Sequence, residues 1–205
     1  MRRIGLFGGS FNPVHMAHLV LAERAREEAD FEKVLFIPAL RPPHKPKRPL
    51  APGRHRAEML RLALEGNPGF ELCTVELDRE GPSYTLQTVR ELKQSLGGDA
   101  ELCLIVGADS LLDMPNWWHA DELVREVRVV GLRRPGYELE DAEALESLFG
   151  TEKLAQIRNA LVSAPLLGIS ATEIRERRQA GRSIRYLVPE AVRRYILKEG
   201  LYAGP

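Results

Sequence analysis

Short apolar runs alternate with amphipathic stretches along the whole chain. Six runs predict β-strands, at Arg2–Phe7, Lys33–Ile37, Glu71–Val75, Glu101–Val106, Val127–Leu132 and Ala160–Ser163. Helical periodicity predicts α-helices at Met16–Ala29, Gly53–Leu64, Tyr84–Leu96 and Asp109–Leu123, the last interrupted at Pro115. Because strands that alternate with helices favour a parallel sheet covered on both faces, we predict an α/β fold with a doubly wound sheet.

The length of the chain limits its organisation. At 205 residues it can form one well-buried α/β domain but not two large ones. We expect a single domain over residues 1–205, with a small helical C-terminal part at residues 165–205. In Rossmann-like sheets ligands bind beyond the carboxyl ends of the strands, near the point where strand order reverses. The residues that follow the first predicted strand are therefore candidates for a ligand site.

Residues 8–18, GGSFNPVHMAH, follow the first predicted strand and lead into the first predicted helix. Gly8 and Gly9 can adopt positive φ and let a ligand approach the backbone. The helix N-terminus offers unpaired N–H groups and a partial positive charge to an anion. His15 and His18 share a helix face, and with ordinary pKa values of about 6.5 each can donate a hydrogen bond to phosphate. The segment predicts a phosphate site.

Other interpretations of this segment compete with phosphate binding. An HxxH pair can bind zinc, but HMAH lacks the glutamate of a metalloprotease, and the chain has only five His and two Cys. A dinucleotide fingerprint requires GxGxxG spacing, which GGSFNP does not have, so a tightly held NAD is disfavoured. Two histidines that merely pack in the core at a tight turn remain an alternative.

A proline-rich segment follows the second predicted strand. Six of the fifteen residues from Pro38 to Pro52 are proline, which excludes a regular helix or a central strand and predicts an extended loop. Loops of this length in compact domains often bind ligands or cover a site. His44 and Lys45 would bring positive charge to an anionic substrate, whereas the alternative is a solvated basic loop.

A second motif, LGISATEIRER, occupies residues 167–177. The Ser-x-x-Glu spacing of Ser170 and Glu173 is that of a capping box and predicts a helix start. A structural cap is a sufficient explanation, but the same helix end would present free amides, the hydroxyls of Ser170 and Thr172, and Arg175. Arginine binds phosphate oxygens in a bidentate fork, so the two explanations are compatible.

Charge and composition narrow the function classes. The chain has 29 basic and 29 acidic residues, which disfavours a general nucleic-acid binder or a membrane-surface protein and favours small ligands. Cys73 and Cys103 lie in apolar stretches and predict reduced core thiols, although spatial pairing stays open. The sequence contains neither a signal-peptide core nor an apolar run long enough for a membrane span, so we expect a cytoplasmic protein.

Two further segments have unbalanced charge. Residues 138–152 contain six carboxylates and no basic side chain among interleaved apolar residues, which predicts an acidic amphipathic insertion whose charges face solvent. Its spacing fits no calcium loop. Glu173–Lys198 has eight basic and three acidic residues over two helical patterns, divided before Pro189. Most of these charges should also face water.

These motifs together resemble a known family. In addition to GGSFNPVHMAH and ISATEIR, the chain contains PPHK, PSYTLQTV, GADSL, MPNWWHADEL, RRPGY and YLVPEAV in family order. It resembles the nucleotidyltransferases with HxGH and ISxTxxR signatures, and among them the bacterial nicotinate mononucleotide adenylyltransferases. The resemblance covers almost the full length. One departure is Ala17, which stands where the HxGH signature has glycine.

The resemblance implies a reaction in which nicotinate mononucleotide attacks the α-phosphorus of ATP, giving deamido-NAD and pyrophosphate with Mg²⁺ as cofactor. It implies catalytic roles for His15, His18, Lys45 and Arg175. Phosphate and adenosine contacts are implied for Gly8, Gly9, Ser10, Phe11, Gly107, Asp109, Ser170, Thr172 and Arg175. Without the family, Asp109 would equally suit a helix N-cap. Lys45 would lie near the substrate phosphate or the triphosphate.

For the pyridine end, the resemblance implies stacking on Trp117 and carboxylate binding by Thr85 and backbone groups near Trp118. Adjacent helical residues point in different directions, so the two tryptophans should have different roles. A related transferase acting on nicotinamide mononucleotide or phosphopantetheine is the nearest alternative, and a non-catalytic nucleotide- or RNA-binding module is a remote one. Neither nucleic acid nor membrane is an expected partner, and a homo-oligomer stays open.

Overall fold

A computed structural model describes residues 2–43, 50–133, 139, 143–163, 165 and 167–204. The strands within these ranges are β1 (Arg2–Gly9), β2 (Lys33–Pro38), β3 (Phe70–Leu72), β4 (Ala100–Gly107) and β5 (Arg128–Leu132). The helices are α1 (Met16–Glu28), α2 (Gly53–Leu64), α3 (Thr85–Leu96), α4 (Ala108–Asp113), α5 (Ala120–Glu126), α6 (Glu143–Phe149), α7 (Thr151–Asn159), α8 (Ala171–Gln179) and α9 (Glu190–Lys198). A 3₁₀ turn, Met114–Asn116, lies between α4 and α5.

The strands form one parallel sheet in the order β3-β2-β1-β4-β5. Strand order reverses at β1, which pairs with β2 on one side and β4 on the other. This is the predicted doubly wound, Rossmann-like arrangement. Leu6 is in register with Leu104, so the last residues of β1 and β4, Gly9 and Gly107, end at the same edge. The topology therefore predicts a ligand site at this edge.

Alternate residues of the central strands pack into two separate cores. Leu6 and Leu104 lie in a core with apolar residues of α3 to α7, whereas Phe7 and Ile105 lie in one with residues of α1, α2, α8 and α9. Because both faces of the sheet are covered, the strands are apolar at successive positions. That is why the strand sequences form continuous hydrophobic runs.

The sixth predicted strand, Ala160–Ser163, does not form. Helix α7 extends to Asn159 and Ala160 is its C-cap, which leaves too few residues for a strand. Val162 makes one isolated parallel bridge to Leu132 instead. The prediction was wrong because an apolar run of this length does not by itself distinguish a strand from the end of a helix and its connection.

Several predicted boundaries also change. The third strand is Phe70–Leu72 rather than Glu71–Val75, because the chain turns after Cys73, where Leu77 N–H donates to the Thr74 carbonyl. The helix predicted over Asp109–Leu123 is divided into α4, the 3₁₀ turn and α5, as expected from Pro115. The two C-terminal helices, α8 and α9, separate at Pro189 as predicted.

The acidic segment is amphipathic, as predicted, and it contributes to the core. In α6 the side chains of Leu145 and Phe149 are buried with Leu139, while Glu143 and Glu146 are exposed. Arg158 of α7 donates to the Leu139 carbonyl. Glu138, Glu140 and Asp141 lie outside the described residues. The described part of the segment covers one face of the sheet with its apolar side and turns its carboxylates to solvent.

The two cysteines do not pair. Cys103 is buried in the core with α1 and α2, whereas Cys73 packs against the other core, and both are free thiols. Burial raises the pKa of Cys103 to about 11, so its thiol stays protonated. Within the described ranges, no helix has the length and apolar character needed to cross a membrane.

The burial of Leu145 provides a test of the contribution of the acidic segment to stability. Leu145 is 1% exposed, so Leu145→Ala should lower the free energy of unfolding by about 2–5 kcal/mol through lost burial and a residual cavity. The exposed Ser147→Ala on the same helix is the control and should change it by less than about 0.5 kcal/mol. Urea unfolding measures both. Equal values for the two variants would contradict the packing role of α6.

Candidate active site

A cleft of about 1330 Å³ opens at the carboxyl ends of β1 and β4. The predicted site residues that the structure describes all line it: Gly8, Gly9, Ser10, Phe11, His15, His18, Thr85, Gly107, Asp109, Trp117, Trp118, Ser170, Thr172 and Arg175. Lys45 and His44 lie outside the described residues, so their place in the site stays a prediction. A second cavity, of about 540 Å³ between α5 and α6, contains none of these residues.

The glycine turn differs in detail from its prediction. Gly8 and Gly9 end β1 without positive φ, and the left-handed conformation falls on Phe11, whose φ is 42°. A Cβ on Gly8 would meet no atom within 4 Å, whereas one on Gly9 would lie 3.1 Å from the Phe11 ring. The two glycines are therefore not needed to turn the chain. Their main effect is to leave space beside the backbone, because they have no side chain.

The two histidines form one unit at the start of α1. Their rings are stacked, with centroids 3.6 Å apart, and the backbone N–H of His15 donates to Nδ1 of His18 at 3.2 Å. Because Nδ1 of His18 accepts this bond, the proton of the neutral ring lies on Nε2. Phe7 and Phe11 make edge contacts with the His18 ring. The fold therefore fixes the orientation of the His18 ring.

His15 is a neutral buried group. His15 is 6% exposed, and burial lowers the pKa of its imidazole to about 4. Nδ1 of His15 has no hydrogen-bond partner among the described residues. Buried polar atoms in folded proteins are nearly always paired, so this atom marks a place where a ligand or water would bind.

The N-terminus of α1 is not the open set of amides that the sequence predicts. Met16 N–H donates to the Leu187 carbonyl at 3.0 Å, and His18 N–H donates to the His15 carbonyl at 3.0 Å. Together with the bond from His15 N–H to His18 Nδ1, these contacts occupy three donors of this helix end. This helix end therefore has fewer amides open to an anion than the sequence predicts.

A buried arginine that the sequence interpretation missed holds the glycine turn. Arg56 of α2 is 1% exposed and donates to the carbonyls of Ser10 and Ala51, both at 2.9 Å. Burial lowers the pKa of Arg56. In the sequence it is one arginine of a predicted amphipathic helix. Nothing local distinguishes it, because its partner Ser10 is 46 positions away.

Asn12 connects the turn to distant parts of the chain. Its side-chain Oδ1 accepts hydrogen bonds from the Ala51 N–H at 3.0 Å and the Tyr202 hydroxyl at 2.8 Å. Its carbonyl accepts one from Nη1 of Arg175 at 2.8 Å. Asn12 is 3% exposed, so these bonds form in a largely dry environment where each is costly to lose. The sequence interpretation placed Asn12 in the motif but gave it no role.

The late motif forms the opposite side of the cleft. Ser170 is the N-cap of α8, and its Oγ accepts the Glu173 N–H at 3.1 Å, as predicted. Nη2 of Arg175 donates to Oγ1 of Thr172 at 3.1 Å, while Nη1 reaches Asn12. Arginine has five N–H donors, and these bonds use two of them. Arg175 is therefore oriented by the protein and retains donors for an anion.

The end of β4 presents a carboxylate to the same cleft. Gly107 is the N-cap of α4 and Asp109 is the second residue of that helix, so Asp109 does not have the N-cap position that was its alternative. A Cβ on Gly107 would lie 2.8 Å from Oδ1 of Asp109. A glycine is therefore needed at this position for the Asp109 carboxylate to occupy its place.

The two tryptophans lie between the 3₁₀ turn and α5 rather than in the predicted helix, and their surroundings differ. Trp117 is partly buried and packs against the core with α3 to α7. Trp118 is 38% exposed and stacks on Tyr84, with ring centroids 4.6 Å apart. Tyr84 precedes Thr85, the first residue of α3. The stacked pair therefore joins the tryptophan segment to the start of α3 across one wall of the cleft.

Glu76 is a second cleft residue that the sequence interpretation missed. It is 7% exposed, lines the cleft and accepts a hydrogen bond from Oγ1 of Thr88 at 2.7 Å. Burial raises its pKa, although bonds from Thr88 and Ser83 oppose this. In the sequence Glu76 stands among charged residues and suggests only a solvated turn.

The buried imidazole of His15 predicts acid sensitivity. Its pKa is about 4 in the folded protein and about 6.5 in an unfolded chain, so the unfolded state binds more protons between these values. The contribution of neutral His15 to the free energy of unfolding is therefore complete above about pH 6.5. It is lost as the pH falls from about 6.5 to about 4. His15→Gln should flatten the fall in unfolding free energy by up to about 1.4 kcal/mol per pH unit. Urea unfolding across this pH range tests it, and parallel curves would contradict it.

Comparison with known proteins gives the family. The cytidylyltransferase-like family model matches residues 6–177. The Bacillus subtilis protein named nicotinate-nucleotide adenylyltransferase is 39% identical over 202 residues, covering 98% of this chain and 99% of the relative. A Salinibacter ruber protein named "Probable nicotinate-nucleotide adenylyltransferase" is 47% identical over 199 residues, covering 97% of each chain.

Solved structures show the same fold. One is the Plasmodium falciparum nicotinic acid mononucleotide adenylyltransferase complexed with NaAD, with a TM-score of 0.77, 18% identity and 98% of each chain covered. A second structure of the Plasmodium falciparum enzyme, complexed with APC, has a TM-score of 0.73, 19% identity and the same coverage. From the extent of the family match and the identity to its curated relatives, the chain belongs to the cytidylyltransferase-like family.

Proposed function

We propose that the protein transfers AMP from ATP to nicotinate mononucleotide, giving nicotinate adenine dinucleotide (deamido-NAD) and pyrophosphate. The observation that carries the proposal is the bond from Arg175 to the Asn12 carbonyl, which joins the two signature motifs around one cleft. The names of the curated relatives support the same activity. The structural neighbour complexed with NaAD supports a cleft that accommodates a dinucleotide.

The reaction needs no nucleophile from the protein. An oxygen of the mononucleotide 5′-phosphate attacks the α-phosphorus of ATP and forms the new P–O bond. The bond from the α-phosphorus to the oxygen that bridges it to the β-phosphorus breaks, and pyrophosphate leaves with that electron pair. Alignment of the two phosphates and stabilisation of the accumulating negative charge are the main tasks of such a site.

The residues of the cleft suit these tasks. Nε2–H of His18 would donate to the α-phosphate, and His15, beside it, would accept or donate through its unpartnered Nδ1. Arg175, with the hydroxyls of Ser170 and Thr172, would hold the β- and γ-phosphates that depart. Arg175 is suited because its fork is held in place before ATP binds, which lowers the cost of ordering it.

The remaining residues divide between the two substrate ends. Gly107 and Asp109, at the end of β4, would bind the ATP ribose, since a carboxylate accepts hydrogen bonds from hydroxyl groups. Gly8, Gly9, Ser10 and Phe11 would form the floor under the phosphates. Thr85, Trp117 and the backbone near Trp118 would bind the pyridine ring and its carboxylate, and Lys45 would approach the phosphates from the proline-rich segment.

Mg²⁺ is the cofactor proposed with ATP, where it would neutralise charge on the phosphates. In the part of the chain that the structure describes, no three or more His, Cys, Asp or Glu are grouped to hold a metal ion. We expect the ion to be carried mainly by the phosphate oxygens of ATP, as Mg²⁺ is in many nucleotide enzymes. The task of the protein is then to hold the phosphates. A cytoplasmic location stays a prediction from the sequence.

The proposal is tested by pyrophosphate release from ATP and Mg²⁺ with three acceptors, each supplied separately. Release with nicotinate mononucleotide, together with formation of its adenine dinucleotide, is the expected result. Preferential turnover of nicotinamide mononucleotide or phosphopantetheine would assign the chain to one of those reactions instead. No release with any acceptor, combined with RNA affinity that falls steeply with salt, would favour a binding module.

His18→Ala tests the proposed charge stabilisation at the α-phosphate. Loss of one fixed donor should lower kcat roughly a hundredfold or more. His55→Ala is the matched control, because His55 lies outside the cleft and bonds to Tyr195, and it should retain kcat. Steady-state kinetics with ATP and nicotinate mononucleotide measure both variants. Near-normal kcat with only a raised KM in His18→Ala would contradict a role in the chemical step.

A further inference from the structure

Arg41 lines the cleft at a position that the sequence interpretation did not consider. It lies three residues beyond the end of β2, and β2 and β4 are on opposite sides of β1. Because the end of β4 carries Asp109 on the proposed ribose side, the topology places Arg41 on the side of the acceptor. Arg41 is an exposed residue that lines the wall of the cleft.

Ser83 fixes the backbone at Arg41. Ser83 N–H donates to the Arg41 carbonyl at 3.0 Å, while Oγ of Ser83 accepts the N–H groups of Leu40 at 2.9 Å and Arg41 at 3.3 Å. Thr85, the first residue of α3, is two residues beyond Ser83. These three bonds hold the backbone of Arg41 beside the start of α3, where Thr85 also lines the cleft.

Glu76 completes this arrangement. Ser83 is 7% exposed and its side chain also hydrogen-bonds with Glu76. A hydroxyl has one proton and two lone pairs, so Ser83 can donate to the carboxylate while accepting both amides. All of its hydrogen-bonding capacity is then used. The buried Glu76 thus orients the serine that orients Arg41, which gives this otherwise unexplained carboxylate a positioning role.

The charge of Arg41 is not neutralised within the described part of the chain, where no carboxylate forms an ion pair with it. The other described arginines of the cleft wall are Arg133 and Arg175. Arg133 follows β5, on the far side of β4, and Arg175 belongs to the ATP side in the proposed function. Of the three arginines that the structure describes in the cleft wall, Arg41 is therefore the one placed to contact an anionic group of the acceptor.

We propose that Arg41 is a specificity-determining residue that pairs with the ring carboxylate of nicotinate mononucleotide, next to Thr85. The acid and the amide mononucleotide differ at this group alone. A guanidinium matches a carboxylate with two charge-assisted hydrogen bonds, whereas a neutral amide offers one acceptor and an NH₂ group that it cannot use. This inference rests on the proposed function and adds to it the reason for a preference between acid and amide.

The test compares kcat/KM for nicotinate and nicotinamide mononucleotides in wild type and Arg41→Ala. The variant should lose about tenfold or more in kcat/KM for the acid, mainly through KM, with the amide changed by less than about twofold. KM for ATP should stay the same. Arg41→Lys should recover part of the preference, because it restores the charge without the fork. Ser83→Ala should lower the same preference without loss of kcat for the amide.

Arg54→Ala is the matched control, since it removes an exposed arginine of α2 that does not line the cleft. It should leave the preference unchanged. An equal loss for acid and amide in Arg41→Ala would overturn the inference and assign Arg41 to the phosphate that both substrates share. No loss for either substrate would overturn it as well. A wild-type enzyme without activity on either mononucleotide would instead refute the proposed function, and this inference with it.

Discussion

The hydrogen bonds of Asn12 are the constraint on which the rest of the cleft depends. Its carbonyl and side-chain oxygen accept from Arg175 and Tyr202, which lie 163 and 190 positions further along the chain. Because Asn12 is buried, leaving these oxygens unpaired would cost the full desolvation of each group. The glycine turn is therefore held in shape by α8 and by the segment that follows α9. The bond from Arg175 also keeps the late motif at the cleft.

This arrangement places positively charged side chains around the glycine turn, although the protein as a whole is not net basic. Arg56 is buried under the turn and bound to the Ser10 carbonyl, while Arg175 reaches the turn from the opposite wall. His15 is kept neutral by burial, and His18 is oriented by a backbone N–H. The amides of α1 are largely occupied inside the protein. In the proposed function, oriented side-chain donors thus replace the helix end as the main attraction for phosphate.

Strand order explains how the cleft can accommodate two different substrates. The central strand, β1, supplies the turn, and its neighbours β4 and β2 end on opposite sides of it. In the proposed function Asp109, after β4, and Arg175 of α8 bind ATP. Arg41, after β2, and Thr85 of α3 bind the acceptor, together with the tryptophan segment that stacks on Tyr84. The α-phosphate would then lie over β1, where His18 is located. The reversal of strand order at β1 would therefore separate the ATP site from the acceptor site.

Local sequence predicted much of this molecule. The apolar runs, Pro115, Pro189 and the Ser170 cap predicted elements that the structure contains, because strand and helix patterns depend on neighbouring residues and on burial of a face. The motifs also predicted the family, which the comparisons confirm. The error at Ala160–Ser163 arose where a run was too short for its periodicity to decide.

Only the tertiary structure decided how the site is held together. Arg56, Glu76 and Ser83 have no local signal, because their roles depend on partners brought close by packing rather than by sequence spacing. The same is true of the low pKa of His15, which comes from burial. The sequence by itself predicted most of the elements and proposed the residues that would bind phosphate. The fold decided how deeply these residues are buried and which groups they hydrogen-bond with, since both depend on long-range contacts.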